Sequence, residues 1–385
     1  MSTAPTINIA LQNQTTSSTV YAYITGQALD NNNAVFLLQA DGQTPYYPTS
    51  PSSTQSPLAE DCAIPLGAPG NTVTVTVPHL AGSRIWFSVD GTLTFLLNPG
   101  PALVEPSVTN PTDPNINLSW DFCEFTYNSA QLFVNISYVD FVCLPVSLSL
   151  TNTSGATKYV AGMGPDGLNQ VCSGLQAQDA SDHAGWSSLI VPNSTGGNLR
   201  ALSANNGITL NSSLFSGYYQ SYVDQVWSNY TNQTLSVDTQ AQWGTVTGQV
   251  NSNNVLDFGA GGTFAQPSAA DIFSCSTGPF VNTSNIETGA LTARIAAAFD
   301  RSTLLIDSVE PSGGPTNYYQ NPITNHYARI VHAANLDGLG YAFPYDDVTP
   351  TGGADQSGAV NDSSPQLLTV AVGGGNASAG LTQQS

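Results

Sequence analysis

Strand-type alternation of apolar and polar residues marks the beginning and the end of this chain, whereas helix-type spacing marks its middle. The run TVTVTV at 72–77 alternates strictly, and IWFSVD (85–90) and LTFLL (93–97) follow between clusters of Pro and Gly. Such runs predict β-strands. Further strands are predicted at 121–127, 131–140 and 145–151.

The middle of the chain predicts helices. Residues 213–231 carry aromatic and aliphatic residues at spacings of three and four, namely Phe215, Tyr219, Tyr222, Val226 and Tyr230. A second helix is predicted at 286–299, where ALTARIAAAF is rich in good helix formers, and a third at 324–334. After Gly338 the runs YAFPYDDV and LLTVAV are strand-like again, and the Gly/Ser/Gln tail is predicted to be loose.

This order of patterns predicts a mainly β protein with an α/β part. We expect residues 1–158 and 338–385 to form a β-sandwich or barrel, with a mixed α/β domain inserted at 159–337. The 385 residues and their 41% hydrophobic content are enough for a sizeable core. A wide cleft between the two parts is where a polymer could bind.

The charge of the chain limits its partners. Six basic residues stand against 26 acidic ones, which gives a net charge of −20. Such a field repels polyanions, so neither nucleic acid nor an anionic membrane is an expected partner. A neutral polysaccharide meets no such repulsion, although acidity that only keeps an extracellular protein soluble is an equally valid interpretation.

Glycosylation signals indicate secretion. Eleven N-x-S/T acceptors occur in a chain that has a single lysine, which is typical of a secreted glycoprotein. The acceptor at Asn135 lies in an apolar run, and we expect it to be too enclosed for a glycan. The start of the chain lacks the basic and apolar regions of a signal peptide, so we take the sequence as a mature chain with an added Met.

The five cysteines show no C-x-x-C pair and no His at ligand spacing, so no metal site is expected. One or two disulfides would fit secretion, although Cys123 and Cys143 lie in apolar segments and could simply be buried. No stretch reaches the roughly 18 apolar residues that predict a membrane span.

Two carboxylates interrupt apolar strands. Glu124 lies in WDFCEFTYN, where enclosure by aromatic rings would favour the protonated form that a general acid needs. Asp140 ends the run LFVNISYVD, where it needs either solvent or a hydrogen-bond partner. The alternatives are a strand with Glu124 on its solvent face and an Asp140 that only caps a turn.

The spacing of these two carboxylates requires a bend in the chain. In a straight hairpin Glu124 would face Asn135, which leaves Asp140 about 16 Å further along the strand. An inverting glycosidase needs its carboxyl groups roughly 6.5–9.5 Å apart, and a retaining one about 5–5.5 Å. A bend near Ser137–Asp140 is therefore needed to bring them together, and periodicity cannot show it.

Other catalytic classes find little support in the sequence. It has no G-x-S-x-G, no H-E-x-x-H, no P-loop and no G-x-G-x-x-G before a helix. His326 and His332 are six residues apart on one predicted helix, which does not align them for a metal. A Ser/His/Asp arrangement stays open, but nothing singles out its serine.

Six segments in a consistent order resemble glycoside hydrolase family 64. These β-1,3-glucanases are related in fold to the thaumatin-like proteins, and the resemblance is to a fungal-type member. The matching segments are DPNINLSWDFCEFTYN (113–128), LFVNISYVDFVCLP (132–145), GSRIWFSV (82–89), FSGYYQSYVDQVW (215–227), NHYARIVH (325–332) and GYAFPYDDV (340–348).

The resemblance implies roles for several residues. It implies Glu124 as general acid and Asp140 as general base of an inverting hydrolase that needs no cofactor, with β-1,3-glucan as substrate and laminaripentaose as a characteristic product. It implies sugar contacts at Thr126, Asn128 and Ser137. The thaumatin-like relationship adds Arg84 and the YDD segment to an acidic cleft, so Asp346 or Asp347 is expected to approach the site. One departure is Ala204, where the family pattern predicts a Pro.

Two other functions are compatible with the sequence. A thaumatin-like binding or antifungal protein would hold β-glucan without efficient turnover, and a structural cell-wall glycoprotein would leave the paired carboxylates without a role. Nothing in the sequence indicates an obligate oligomer, so we expect a monomer.

Overall fold

The computed structural model describes residues 2–374. In chain order, its first twelve strands are β1 (Thr6–Asn13), β2 (Val20–Ala28), β3 (Ala34–Leu38), β4 (Pro45–Tyr46), β5 (Ser56–Pro57), β6 (Ile64–Pro65), β7 (Thr72–Pro78), β8 (Leu80–Val89), β9 (Leu96–Asn98), β10 (Ala102–Val104), β11 (Ser119–Tyr127) and β12 (Leu132–Ile136). The others are β13 (Phe141–Val142), β14 (Val146–Asn152), β15 (Thr157–Val160), β16 (Ile190–Pro192), β17 (Asn198–Leu202), β18 (Leu235–Asp238), β19 (Thr245–Val250), β20 (Leu256–Asp257), β21 (Thr263–Phe264), β22 (Val309–Glu310), β23 (Ala359–Asp362) and β24 (Pro365–Val372).

The helices of this part of the chain all lie between residues 167 and 334. They are α1 (Gly167–Asp182), α2 (Ala204–Leu210), α3 (Gln220–Tyr230), α4 (Ala269–Ser274), α5 (Ile286–Arg301) and α6 (His326–Ala334). Short 3-10 turns lie outside and between them at Leu29–Asn31, Trp186–Leu189, Gly259–Gly261, Gly278–Phe280 and Pro315–Asn317. The protein is therefore mainly β, with its helices confined to the middle of the sequence.

Two large sheets form the β part. One has the strand order β15-β14-β24-β1-β7, in which β1 and β24, from opposite ends of the chain, run parallel side by side. The other, here called the cleft sheet, has the order β23-β12-β11-β8-β2-β3-β4, with β6 paired to β2. Both sheets bury alternate residues in one hydrophobic core, which gives each a buried and a more open face.

Strand β11 shows this alternation most clearly. Cys123, Phe125 and Tyr127 are buried in the core, whereas Glu124 and Thr126 between them are half-exposed. The side of the cleft sheet that carries Glu124 and Thr126 is called its open face. Periodicity of two residues therefore explains why polar groups interrupt an otherwise apolar strand.

Two smaller sheets belong to the middle segment. One has the order β13-β17-β16 and the other the order β21-β20-β19-β18-β22. Directly after Asp140 the chain continues as β13, which pairs with β17, as Phe141 lies opposite Leu202. This pairing fixes the middle segment against the end of β12.

Most predicted elements are confirmed. The strands at 72–77, 85–90, 121–127 and 145–151 are present as β7, β8, β11 and β14, and the helices at 286–299 and 324–334 as α5 and α6. The helix predicted at 213–231 begins only at Gln220, after a series of turns. Helices α1, α2 and α4 were not predicted, and the tail at 375–385 lies outside the described residues.

The prediction of a strand at YAFPYDDV is wrong. Residues 343–347 form turns, and only Tyr341 makes a bridge, to Ser137. The segment is apolar because Ala342 and Phe343 are buried, and its acidic residues serve the contacts described below. Burial of a turn produces the same hydrophobic pattern as a strand.

The prediction of disulfides is also wrong. All five cysteines are free and buried. Each thiol has its own enclosed surroundings: the Cys143 thiol donates to the Leu199 carbonyl at 3.1 Å, and the Cys275 thiol donates to Asp300 Oδ2 at 3.1 Å. The alternative that Cys123 and Cys143 are simply buried is confirmed, and the large shared core explains how the fold is held without cross-links.

Candidate active site

Three neighbouring strands bring a basic, an acidic and an amide side chain into one row on the open face of the cleft sheet. Arg84 on β8 lies directly opposite Glu124 on β11, and Glu124 lies directly opposite Asn135 on β12. Directly opposed residues place their side chains on the same face, about 5 Å apart at Cβ. The predicted pairing of Glu124 with Asn135 is confirmed.

A bulge in β8 lies next to this row. The pairing of β8 shifts register between Leu80 and Ser83 against β11 and between Ala81 and Arg84 against β2. Gly82 at this point has a φ of +54°, which a residue without a Cβ adopts at little cost. Bulges bend a strand and change the direction of its side chains, so this one determines where Arg84 points.

Arg84 connects two carboxylates. Its Nη1 donates to Glu105 Oε2 at 2.7 Å, and its Nε donates to Glu124 Oε1 at 3.3 Å. The guanidinium lies over the Phe122 ring, 4.5 Å from its centroid, which adds a cation–π contact. Sequence reasoning missed Glu105, because it follows the short strand β10 and reaches Arg84 only through the tertiary fold.

Glu124 is more open than the sequence suggested. Its side chain is 36% exposed, because the flanking Cys123 and Phe125 face the core and do not enclose it. The expected enclosure by aromatic residues is therefore wrong, and the solvent-face alternative describes this strand. The exposed face is nevertheless concave: Glu124 lines a hollow of about 350 Å³ with Arg84, Glu105 and Thr126.

Asp140 lies in the bend that its spacing from Glu124 required. Strand β12 ends at Ile136, and residues 139 and 140 form a bend before β13 begins at Phe141. The Asp140 carbonyl accepts hydrogen bonds from Ser203 N and from Asn206 Nδ2, both at 2.9 Å. Ser203 is also the N-cap of α2, so the start of that helix holds the bend in place.

The electrostatic surroundings of Asp140 have opposing components. Burial raises the pKa of its carboxyl group, the charge of Arg84 lowers it, and the negative charge of Glu124 raises it, with a net increase above the usual range. Burial likewise raises the pKa of Glu105 against the opposing effect of Arg84. Both carboxyl groups are therefore better proton acceptors than a carboxylate in water.

Arg84 is common to the surroundings of the two predicted catalytic carboxylates. Asp140 and Asn206 line a second hollow of about 150 Å³, and Arg84 lines both this hollow and the one that contains Glu124. The second hollow lies between the cleft sheet and the start of α2. The larger hollow is thus lined by the β part alone, the smaller one lies where the β part meets the start of α2, and the two share Arg84.

The structure places the other predicted sugar-contacting residues differently from one another. Thr126 lines the larger hollow beside Glu124. Ser137 is only 5% exposed and bridges to Tyr341 at the end of β12. Asn128 lies in the β11–β12 turn, where its Oδ1 accepts from Ala130 N and Gln131 N, and it does not line either hollow.

Of the two acidic residues in the YDD segment, Asp346 is not part of the open surface. It is fully buried, with Oδ1 2.9 Å from Arg301 Nη2 and Oδ2 2.9 Å from His332 Nε2. Burial alone would raise the pKa of this carboxyl group, but His332 and Arg301 outweigh it and hold the pKa below its usual range. The Asp346 carboxylate thus serves contacts inside the fold, which leaves Asp347 as the member of the pair that faces the open surface.

Asp347 has the opposite position. It is exposed and accepts a hydrogen bond from Tyr341 Oη at 3.1 Å, and Tyr341 is the residue that bridges to Ser137. Asp347 is therefore connected through Tyr341 to Ser137 just beyond β12, and it lies on an open surface. Its contact with substrate stays a prediction.

The arrangement can support acid–base chemistry on a neutral polymer. Two carboxylates in neighbouring hollows that share one arginine can donate a proton and activate a water for a bond bound between them. Within residues 2–374, no group of His, Cys, Asp and Glu side chains could hold a metal ion. Over the same range, no helix is both long and apolar enough to span a bilayer.

Comparison with known sequences gives a match over nearly the whole chain. The sequence profile of the Glyco_hydro_64 family, described as beta-1,3-glucanase, matches residues 5–372. A glucan endo-1,3-beta-glucosidase of Arthrobacter sp. (strain YCWD3) is 28% identical over 305 residues, and one of Cellulosimicrobium cellulans is 28% identical over 309 residues. The matches cover 78% of this chain but 53% of each relative, so the chain spans about half the length of these relatives.

Solved structures match over almost the full chain. A laminaripentaose-producing beta-1,3-glucanase in complex with laminaritetraose is 31% identical, with a TM-score of 0.84 over 96% of this chain and 98% of the other. A GH64 beta-1,3-glucanase domain from Clostridium beijerinckii (20% identity, TM-score 0.74, 98% of its chain) and a laminaripentaose-producing enzyme from Paenibacillus barengoltzii (21%, 0.61, 75% of its chain) share the fold. The named organisms are bacteria, so the expectation of a fungal-type member finds no support.

Proposed function

The chain belongs to glycoside hydrolase family 64, the β-1,3-glucanases, and on this premise we propose that it hydrolyses β-1,3-glucan at the site around Arg84. The observation that carries the proposal is the position of Arg84, which lines both the Glu124 hollow and the Asp140 hollow. A glycosidic bond bound across Arg84 would have one carboxylate on either side. The mechanism proposed is inversion, with Glu124 as general acid and Asp140 as general base.

The surroundings of each carboxylate support this division of roles. Glu124 is in the larger and more open hollow, where its carboxyl group can reach the oxygen of a leaving chain. Asp140 lies in the smaller hollow, which has room for a water molecule, and its raised pKa makes it a stronger base. The charge of Arg84 opposes this rise in pKa and so favours the ionised form of Asp140 that a general base needs.

The open face also suits a neutral sugar polymer as partner. Phe133 is 37% exposed and lines the larger hollow beside Thr126. An exposed aromatic ring offers an apolar surface to the apolar face of a pyranose, while the surrounding carboxylates accept hydrogen bonds from sugar hydroxyls. Laminari-oligosaccharides are the proposed products, with laminaripentaose as one candidate, in keeping with the similar structures.

Secretion as a glycoprotein and a thaumatin-like fold of the β part are further parts of the proposal. Most N-x-S/T acceptors in the described residues are at least partly exposed and could carry a glycan. Two could not: Asn13 is fully buried and its Nδ2 donates to the Ser17 and Gly67 carbonyls, and Asn135 is 8% exposed on the site itself. We propose a monomer, since the site is built within one chain.

The proposal is tested by following reducing ends and the anomeric form of the product released from a linear β-1,3-glucan. Glu124→Gln and Asp140→Asn keep the shape of each side chain but remove its acid or base function. The expected result is release of the α-anomer first by the wild type, with a loss of about 10³-fold or more in kcat in either variant. Asp224→Asn, an exposed carboxylate on α3, is the matched control and should leave kcat unchanged.

Each other outcome has a defined meaning. Release of the β-anomer first would retain the substrate but make a carboxylate the nucleophile, which overturns the inverting mechanism. Binding of the glucan without release of sugar would contradict the proposed activity and support the alternative of a glucan-binding protein. Full activity in either variant would show that the assigned residue has no part in the chemistry.

A further inference from the structure

Arg84 shares its charge unequally between two carboxylates. The contact of its Nη1 with Glu105 Oε2 is 2.7 Å long, within the range of a strong charge-assisted hydrogen bond, whereas the contact of Nε with Glu124 Oε1 is 3.3 Å. Both acidic side chains are about one third exposed, so solvent alone does not explain the difference. Glu105 is therefore the main partner of the guanidinium, and Glu124 has the weaker share.

Glu105 is itself held in position from the neighbouring strand. Thr25 Oγ1 on β2 lies 3.4 Å from Glu105 Oε1, and the same hydroxyl accepts a hydrogen bond from Trp86 Nε1 at 3.0 Å. Thr25 is buried and lies opposite Arg84 in the β2–β8 pairing. The backbone of Glu105 is also restricted by the proline at position 106. These contacts fix the carboxylate that fixes Arg84.

We propose that Glu105 is a positioning residue for the hydrolysis: it holds the Arg84 guanidinium and takes most of its charge, which leaves Glu124 able to carry the proton that a general acid transfers. This inference rests on the proposed function. No part of it requires Glu105 to contact substrate. A tighter Arg84–Glu124 pair would instead hold Glu124 as an anion.

The effect of removing the Glu105 charge follows from the groups around Arg84. The charged side chains that face one another here are Arg84 from β8, Glu124 from β11, Asp140 from the bend after β12 and Glu105 after β10. Without the Glu105 charge, Arg84 pairs with Glu124 alone, and its undivided positive charge stabilises the negative charge of the carboxylates that remain around it. Coulomb's law at the effective dielectric of a partly solvated site then gives a shift of the pH–activity profile of roughly 0.5–1 pH unit.

The first test is the pH profile of kcat/KM for laminarin in Glu105→Gln. We expect both limbs of the bell to move to lower pH by roughly 0.5–1 unit, with activity above neutral pH reduced about 3–10-fold. The matched control is Glu60→Gln, an exposed glutamate in the same β part, which makes the same change in net charge and should not move the profile. Glu105→Asp keeps the charge but shortens the side chain. It should therefore restore the position of the bell while lowering kcat.

The second test does not depend on activity. The chain has only five glutamates, so labelling with 13C-carboxyl glutamate gives a spectrum in which the Glu124 signal is identified by its loss in Glu124→Gln. We expect this signal to titrate at lower pH in Glu105→Gln than in the wild type, while the Glu60 and Glu287 signals stay in place. Thermal unfolding of each variant confirms that it is folded.

The two tests separate the inference from the proposed function. An unchanged pH profile together with an unmoved Glu124 signal overturns the inference, even if the wild type hydrolyses glucan. If the Glu124 signal moves in Glu105→Gln but the wild type does not hydrolyse glucan, the proposed function is overturned and the Glu105–Arg84–Glu124 coupling is established. Movement of both readouts supports the two together.

Discussion

Asp346→Asn separates a structural role from a substrate-binding one, and Asp347→Asn beside it is the matched control. The two positions are adjacent in sequence, and one or the other was expected to approach the acidic cleft. In the structure Asp346 is fully buried between Arg301 and His332, whereas Asp347 is exposed. The same chemical change should therefore affect stability at one position only.

The size of the effect can be worked out from the contacts of Asp346. Its carboxylate oxygens lie 2.9 Å from each of three nitrogen atoms: Arg301 Nη2, His332 Nε2 and the backbone N of Ala342. An asparagine keeps one oxygen for Arg301 but turns an NH₂ group toward the Ala342 N–H, which then has no acceptor. Breaking a buried pair in this way costs about 3–5 kcal/mol.

The contacts that Arg301 keeps in the variant limit this cost. Its guanidinium keeps hydrogen bonds to the Asp346 and Val348 carbonyls and lies 4.2 Å from the centroid of the Tyr318 ring, so it is not left without partners. With about 2.1 cal/mol/K of unfolding entropy per residue, 3–5 kcal/mol corresponds to a melting temperature lowered by about 4–6 °C. Asp347→Asn, at an exposed site, should change the free energy of unfolding by no more than about 0.5 kcal/mol.

The assay is differential scanning calorimetry of the wild type and both variants at pH 7, followed by KM for laminarin. A lowered melting temperature for Asp346→Asn alone, with KM unchanged below that temperature, is the expected result. If Asp346→Asn melts like the wild type and its KM rises, the main role of Asp346 is not the buried ion pair. Asp346 would then be a substrate contact after all.

Three further predictions follow from the structure. Burial raises the pKa of three acidic side chains to about 7, 8 and 8, those of Asp121, Asp300 and Glu310. Because each folded-state pKa is raised above the unfolded value near 4, the stabilisation from that group is complete below about pH 4 and is lost as pH rises toward 8. The melting temperature should therefore fall between pH 5 and pH 8, and a rise over this interval would contradict the prediction. Asn206→Ala, which removes the side-chain hydrogen bond to the Asp140 carbonyl, should lower stability by about 1 kcal/mol and kcat by about 10-fold or more, whereas Asn205→Ala should keep kcat. Thiol titration without reductant should find five thiols per chain in denaturant and almost none in the native state, and a count of three or one would show disulfides.

Local sequence patterns were sufficient where the structure depends on local geometry. The hairpin register that places Glu124 opposite Asn135 follows from strand period and turn position. The bend at residues 139 and 140 was instead required by the roles given to the two carboxylates, and no local pattern shows it. Helix α5 was predictable because it combines good helix formers with a buried face. Helix α1 was not, because Gly, Asn, Gln and Ser fill half of it and only a few of its side chains are buried.

Long-range contacts account for what the sequence did not reveal. Glu105 and Arg84 are 21 residues apart, and Glu105 follows a strand of a different sheet, so only the tertiary fold brings them to 2.7 Å. Asp346 and Arg301 are 45 residues apart, and nothing in YDD distinguishes the aspartate that is buried from the one that is exposed. Acidic residues in a loop-like segment have the same local pattern whether they face solvent or a buried arginine.

The two proposed catalytic carboxylates are held by different kinds of structure, and this has a consequence for how the site is built. Glu124 is in the middle of a strand with neighbours on both sides, so the cleft sheet alone determines its position. Asp140 is in a bend whose carbonyl is held by Ser203 and Asn206 at the start of α2, so the middle segment determines its position. The separation of the two carboxyl groups is therefore set by how the middle segment packs on the β part. A substitution at that boundary can change the separation without touching either carboxylate, and for this reason Asn206 should affect kcat more than its single hydrogen bond affects stability.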